Sequence, residues 1–222
     1  MIEVKDIIKS YSIDDQTFRA VDNVSLVVAR GDMTSIVGHS GSGKTTLLSL
    51  IGGLTKPDSG SIVIGKENIL AMTDDDLSEF RNRKISFIYQ FSSLIPTLTV
   101  LENVILPTVF GTGQPDAVGY ASELLGIVGL ENKMNVYPSQ LSGGQQRRVA
   151  IARAFVNLPE LVLADEPTGD LDEETEEEMI QFFTSMNRDK GVTFLVVTHN
   201  TELAKRLGRQ YKMHNGMIAE IV

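Results

Sequence analysis

The stretch Met33-Thr34-Ser35-Ile36-Val37-Gly38-His39-Ser40-Gly41-Ser42-Gly43-Lys44-Thr45-Thr46 decides how this chain is read. Met33–Val37 is a compact, mostly apolar run of strand length, and an apolar helix pattern follows over about residues 44–54. The turn between them has Gly38 and Gly43 separated by four residues, with Lys44-Thr45 directly after. Glycines let the backbone curl so that successive N–H groups point inward and form a nest for anionic oxygens. The helix that follows offers its positive end to the same oxygens. Lys44 can then reach the terminal phosphates of a nucleotide, and Thr45 can offer a hydroxyl to Mg²⁺. The pattern predicts a strand–loop–helix phosphate cradle made by Gly38, Ser40, Gly41, Ser42, Gly43, Lys44, Thr45 and Thr46.

Outward from this unit, apolar runs of strand length recur at residues 61–64, 85–89, 161–164 and Thr193–Thr198. Residues 211–214 and 217–222 flank Asn215-Gly216, a two-residue hairpin signal because both turn positions need positive φ. Helical periodicity fits residues 75–83, 116–128, 143–157, 172–187 and 201–207. The alternation predicts an α/β core with a mainly parallel sheet. From about residue 91 to residue 157 no convincing strand occurs, so this segment reads as a mainly helical insertion. The acidic run at residues 172–178 reads as a solvated helix start, where carboxylates favour the dipole.

Two further motifs bear chemistry. Leu161-Val162-Leu163-Ala164-Asp165-Glu166 is a buried strand ending in two carboxylates. Asp165 is suited to holding Mg²⁺, and Glu166 to orienting or deprotonating a water. Leu141-Ser142-Gly143-Gly144-Gln145 is a helix start with a Ser cap and a bare backbone, a second candidate anion site almost a hundred residues from the first.

Composition narrows the function classes. The 222 residues suffice for one substantial core. The net charge of −9 argues against nonspecific nucleic-acid binding, which needs an excess of Lys and Arg. With no Cys, disulfides, thiolate catalysis and Cys-ligated metals are excluded. No signal-peptide pattern opens the chain, and no run approaches the ~18–20 apolar residues of a membrane span. The expectation is a soluble, cytoplasmic-type protein.

Together the phosphate loop, Leu141–Gln145, Asp165-Glu166 and Thr198-His199 resemble the ATP-binding-cassette (ABC) ATPases, in the family's order and across essentially the whole chain. The resemblance implies a P-loop (RecA-like) α/β core over residues 1–90 and 158–222, with an antiparallel β subdomain. It also implies an inserted helical subdomain over 91–157 that carries the Ser142–Gln145 signature. It implies that Tyr11 stacks on adenine, that Gln90 senses Mg²⁺ and the attacking water, and that His199 contacts the γ-phosphate. Glu166, His199, Gln90 and Lys44 become the catalytic set, and Thr45, Gln90 and Asp165 the Mg²⁺ set. Ser142, Gly143, Gly144 and Gln145 are implied to close over ATP bound by a second copy of the chain, and Asp172 to lie in a loop crossing between the copies. Asp170 departs from the small or amide residue found in many relatives.

Residues 90–104, Gln-Phe-Ser-Ser-Leu-Ile-Pro-Thr-Leu-Thr-Val-Leu-Glu-Asn-Val, resemble more narrowly the lipoprotein-release and macrolide-exporter branch. That branch implies an ATPase subunit on the inner face of the cell membrane, serving an integral membrane protein on a separate chain. Phe91, Leu94 and Ile95 would then dock a helix of that partner, or else each be buried within the insertion's own core. Two other readings share the catalytic residues: a regulator of an envelope process without transport, and a soluble ABC ATPase acting on DNA or ribosomes. The latter's usual coiled-coil insert, second cassette and basic linkers are not seen.

Overall fold

The computed structural model of the chain describes residues 1–14, 16–111, 116–169 and 171–221; Asp170 and Val222 lie outside them. Two long strands open the chain, β1 (Ile2–Ile13) and β2 (Gln16–Val28), followed by β3 (Met33–Val37) and α1 (Lys44–Ile51). Next come β4 (Ser59–Ile64), the short β5 (Glu67–Asn68), α2 (Asp74–Lys84) and β6 (Ile85–Ile88). α3 (Val100–Ile105), α4 (Ala117–Ile127) and α5 (Gly143–Phe155) follow, with no strand among the described residues between β6 and the next strand. β7 (Leu161–Asp165), α6 (Glu173–Lys190), β8 (Thr193–Thr198), α7 (Thr201–Arg206), β9 (Arg209–His214) and β10 (Met217–Ile221) complete the order.

The strands form two sheets. One is antiparallel, in the order β2-β1-β4-β5. The other has the order β10-β9-β3-β8-β7-β6 and is parallel except for β10 at its edge. This is the α/β architecture with mainly parallel and antiparallel sheets that the sequence predicts.

The continuous apolar runs of β7 and β8 reflect burial on both faces of the parallel sheet. Leu161, Leu163, Leu195 and Val197 face α1 and the antiparallel sheet. Val162, Ala164, Phe194 and Val196 face α5, α6 and the helical segment. Phe155, Phe182, Phe183 and Phe194 pack ring to ring in that second layer. Register places the chemistry at one edge. Val37 lies opposite Thr198 and Asp165 opposite Val197, so the loops leaving β3, β7 and β8 emerge side by side.

Several boundaries differ from expectation for local reasons. α1 ends at Ile51 rather than near Leu54, because the Gly52-Gly53 pair stops it, with Gly53 at φ 65°. α6 runs on to Lys190, where Gly191 in the left-handed conformation (φ 69°) ends it. α5 stops at Phe155, and Leu158 is left-handed at φ 51°. The short α3, opened by a Thr99–Glu102 capping box, is absent from the sequence prediction.

Candidate nucleotide site

The β3–α1 loop has the backbone its glycines permit. Gly41 and Gly43 sit at φ 77° and 104°, where side chains are strained, and a Cβ on Gly43 would also strike the Ala20 carbonyl. Lys44 folds back over the loop, and its Nζ donates to the carbonyls of Gly38 (2.8 Å) and His39 (3.0 Å). Its ammonium is held below the usual lysine range, first by burial, with the charges of Glu166 and Asp165 opposing that shift. An ammonium parked on two carbonyls is ready to exchange them for a more anionic partner.

Across from it, Thr45 Oγ1 donates to Asp165 Oδ2 at 2.8 Å. Asp165 is 6 % exposed, and burial lifts its carboxyl above the usual range; the Thr45 hydrogen bond, Lys44 and Arg147 act in the opposite sense. Glu166 follows at φ 46°, a strained left-handed conformation for a residue with a side chain. Its Oε2 accepts from Thr198 Oγ1 (2.7 Å), and its Oε1 accepts from the His199 backbone N–H (2.8 Å) and lies 2.7 Å from His199 Nδ1. The His199 ring is largely exposed while the Glu166 side chain is largely covered. One carboxylate is thus turned to the Lys44–Thr45 helix and its neighbour to the end of β8.

A cavity of about 850 Å³ joins these groups. Tyr11, Ser40, Gly41, Gly43, Lys44, Thr45, Thr46, Gln90, Asp165, Glu166 and His199 line it, all of them expected from the sequence. Gly38 and Ser42 do not. A Cβ on Gly38 would lie 2.7 Å from Ser42 Oγ, and Ser42 is buried. Phe18, Arg19, Ala20 and the Asn215-Gly216 turn line the cavity without having been predicted. The signal for Phe18 is cross-strand pairing, since it lies opposite Tyr11 with ring centroids 5.9 Å apart.

The remaining expected residues sit elsewhere. Ser142 caps α5: its Oγ accepts from the Gln145 N–H (3.3 Å), and the Gln145 side chain accepts from the Ser142 N–H (3.0 Å). Ser142, Gly143, Gly144 and Gln145 do not line the cavity of their own chain. Asp172 caps α6 by accepting from Thr175 N–H (3.0 Å) and Oγ1 (2.8 Å), bonds that hold its carboxyl below the usual range. Both placements match the helix-start readings made from sequence.

Among the described residues no group of three or more His, Asp or Glu side chains is placed to hold a metal. Mg²⁺ does not need one, since it takes one or two protein oxygens and keeps water and phosphate for the rest. The Thr45–Asp165 pair, with Gln90 lining the same cavity, fits that donor set.

A backbone anion cradle at the end of β3, facing the paired carboxylates at the end of β7, defines a nucleoside triphosphatase of the P-loop class. Comparison with known proteins sharpens the class. The ABC transporter family model matches residues 21–169. The chain is 43 % identical over 219 residues to the lipoprotein-releasing system ATP-binding protein LolD of Geobacter metallireducens, covering 98 % of this chain and 97 % of that one. Two solved dimers of the ATP-binding cassette MJ0796 superpose with TM-scores of 0.94, covering all of this chain and 98 % of theirs. Their sequences are 40 % and 41 % identical, the first in a post-hydrolysis state bound to ADP and Pi. The chain belongs to the ABC transporter family.

Proposed function

We propose that the chain hydrolyses ATP as the cassette subunit of a lipoprotein-releasing type transporter, working as a pair of copies on an integral membrane partner. The hydrolytic part rests on one observation above all, the clamped Glu166 beside the Thr45–Asp165 pair in the Lys44 cavity. Lys44 and the loop amides would bind the β- and γ-phosphates, and Tyr11 would stack on adenine. Thr45, Asp165 and Gln90 would hold Mg²⁺, which would supply charge neutralisation at the phosphates. Glu166 would take the proton of a water attacking the γ-phosphorus as the bond to ADP breaks, with His199 and Thr198 fixing the carboxylate.

Gly143 supports a second copy over the site. Among the described residues, apart from its chain neighbours and the backbone of its own helix, nothing lies within 4 Å of a Cβ built there, and at Gly144 only Leu171 does, at 3.6 Å. Glycine weakens a helix by roughly 0.5–1 kcal/mol relative to Ala, so a bare helix start with open space favours close approach by something outside the chain. The nucleotide held by a partner copy fits, as does Asp172 on the neighbouring α6 cap.

For the membrane partner, the support is the LolD likeness and an apolar face beside the helical segment, which we take as a subdomain of residues 91–157. Phe91, Val109 and Phe110 are each more than 70 % exposed and stand near a cleft of about 860 Å³ that includes Tyr89, Phe110 and Arg153. Of the residues expected to dock, Phe91 is exposed and Ile95 partly so, whereas Leu94 packs into the chain's own core. Among the described residues no helix is long and apolar enough to cross a membrane.

The deciding experiment is Glu166→Gln. It should keep ATP binding, nearly abolish turnover and accumulate an ATP-bound dimer in size-exclusion chromatography. A variant that still turns over, or stays monomeric with ATP, removes the shared-site mechanism.

A further inference from the structure

Arg147 is 1 % exposed, the deepest cation among the buried polar residues. It lies on α5, five residues after the Ser142 cap, and reaches away from the helix toward the parallel sheet. Its Nη1 donates to the Tyr89 carbonyl, immediately before Gln90, and its Nη2 donates to the Glu166 carbonyl at 2.9 Å. Further along the helix, Arg153 donates to the carbonyls of Ser92 (2.8 Å) and Ser93 (3.0 Å). α5 therefore grips the backbone on both sides of Gln90 and holds Glu166 with the same guanidinium.

We infer that Arg147 is a positioning residue that ties the placement of the Ser142–Gln145 helix start to Gln90 and Glu166 of the same subunit. The inference rests on the hydrolytic reading above. Three physical points carry it. First, both acceptors are main-chain carbonyls at the ends of different strands, β6 and β7, so the planar fork fixes the separation of those strand ends. A lysine ammonium, a single point on a flexible stem, cannot hold two carbonyls in that fixed relation. Second, Glu166 is left-handed, a conformation the chain abandons unless its surroundings hold it. The Glu166 N–H donates to the Val197 carbonyl (2.9 Å), and Arg147 fixes the other end of the residue. Third, a buried guanidinium is a costly filler, and an uncharged side chain of similar volume would satisfy packing alone. A shift of α5, such as closure of its N-terminus on a partner's nucleotide would impose, is thereby felt at the residue meant to activate water.

The test compares Arg147→Gln and Arg147→Lys with the unaltered chain and with Glu166→Gln. Three quantities are read: ATP turnover against ATP concentration, binding of a fluorescent ATP analogue to the monomer, and melting temperature. The expected result for both variants is a kcat lower by about tenfold, the scale of one lost charge-assisted hydrogen bond. Monomer affinity and KM should stay within about twofold, and the Hill coefficient should fall toward one. In a Glu166→Gln background the ATP-bound dimer should still form, because the second anion site itself is untouched. Unchanged kcat in both variants overturns the inference. So does a parallel loss of nucleotide affinity and melting temperature, or failure of both variants to fold, since either marks a purely structural role. If Glu166→Gln itself keeps full turnover, the hydrolytic reading fails and not merely the role of Arg147.

Discussion

Thr198 holds Glu166: its Oγ1 donates to Glu166 Oε2 at 2.7 Å, leaving Oε1 for His199. The same hydroxyl accepts the Asn200 N–H at 3.0 Å, so one oxygen links the carboxylate to the start of α7. Thr198→Val removes the hydroxyl and leaves Glu166 Oε2 and the Asn200 N–H without it. Leaving such buried groups unpaired costs about 1–3 kcal/mol, or roughly 2–4 °C of melting temperature per kcal/mol in a domain of this size. The expected outcome is a modest loss of stability with a several-fold fall in kcat at unchanged KM. Steady-state kinetics beside thermal unfolding checks it, and an unaltered kcat would mean that the Glu166 carboxylate is oriented without Thr198.

Gly143→Ala separates a role within the chain from a role across a dimer. Among the described residues no atom outside its chain neighbours and the backbone of its own helix lies within 4 Å of the added methyl, and alanine is the better helix former. The isolated subunit should be as stable as the unaltered protein or slightly more so, with the same monomer affinity for ATP. Turnover and ATP-driven dimerisation should both fall strongly. Ser142 replaced by a bulky residue should behave alike. Normal turnover in Gly143→Ala would show that nothing approaches this helix start closely.

Which parts of this arrangement could be read from sequence follows from how locally each is determined. The β3–α1 unit is fixed by glycine spacing and strand β8 by a β-branched run, and both are found where expected. The last hairpin is set by two adjacent residues, Asn215 at φ 47° and Gly216 at φ 79°. β1 and β2 were barely visible because their pairing register shifts between Val4 and Ile7, Ile7 and Lys9, and Lys9 and Ser10, which breaks the period-two pattern. Phe18 carries no local signal for the same reason, since its place opposite Tyr11 depends on that pairing. Arg147 reads as one more polar residue in Gln145-Gln146-Arg147-Arg148, and only the packing of α5 against β6 and β7 turns it inward. Residue types at the site are legible from their spacing, whereas the service of Ser142–Gln145 to a second copy comes from the family resemblance alone, since these residues lie outside the cavity of their own chain.

Asp165→Asn should trade activity for stability. Burial raises the Asp165 carboxyl, so the folded protein holds that proton more tightly than the unfolded chain does. A raised carboxyl contributes stability at low pH and loses it as pH rises through the folded value, so at neutral pH the ionised form weakens the fold. The asparagine keeps an oxygen for Thr45 Oγ1 without the charge. In EDTA and without nucleotide, the variant should melt higher than the unaltered protein at pH 7, with the difference shrinking toward pH 4. ATP turnover should be lost at every pH. A lower melting temperature at pH 7 would show that Lys44 and Arg147 stabilise the ionised carboxylate more than burial opposes it.

Tyr11 and Phe18 make the last prediction. Both rings are partly exposed at the cavity mouth, tilted 31° to each other, with Lys9 Nζ 5.5 Å from the Tyr11 centroid. Open aromatic faces beside a phosphate cradle suit a nucleobase, and one base–aromatic stack is worth about 1–3 kcal/mol. This energy is available equally in ground and transition states, because the base lies far from the reacting phosphorus. Uniform binding of that kind changes KM and leaves kcat alone. Tyr11→Ala should therefore raise the KM for ATP roughly tenfold at near-normal kcat, Phe18→Ala should do so less, and Tyr11→Phe should be close to neutral. Titrating turnover with ATP measures each. A fall in kcat with KM unchanged in Tyr11→Ala would move Tyr11 from the base to the chemistry of the phosphates.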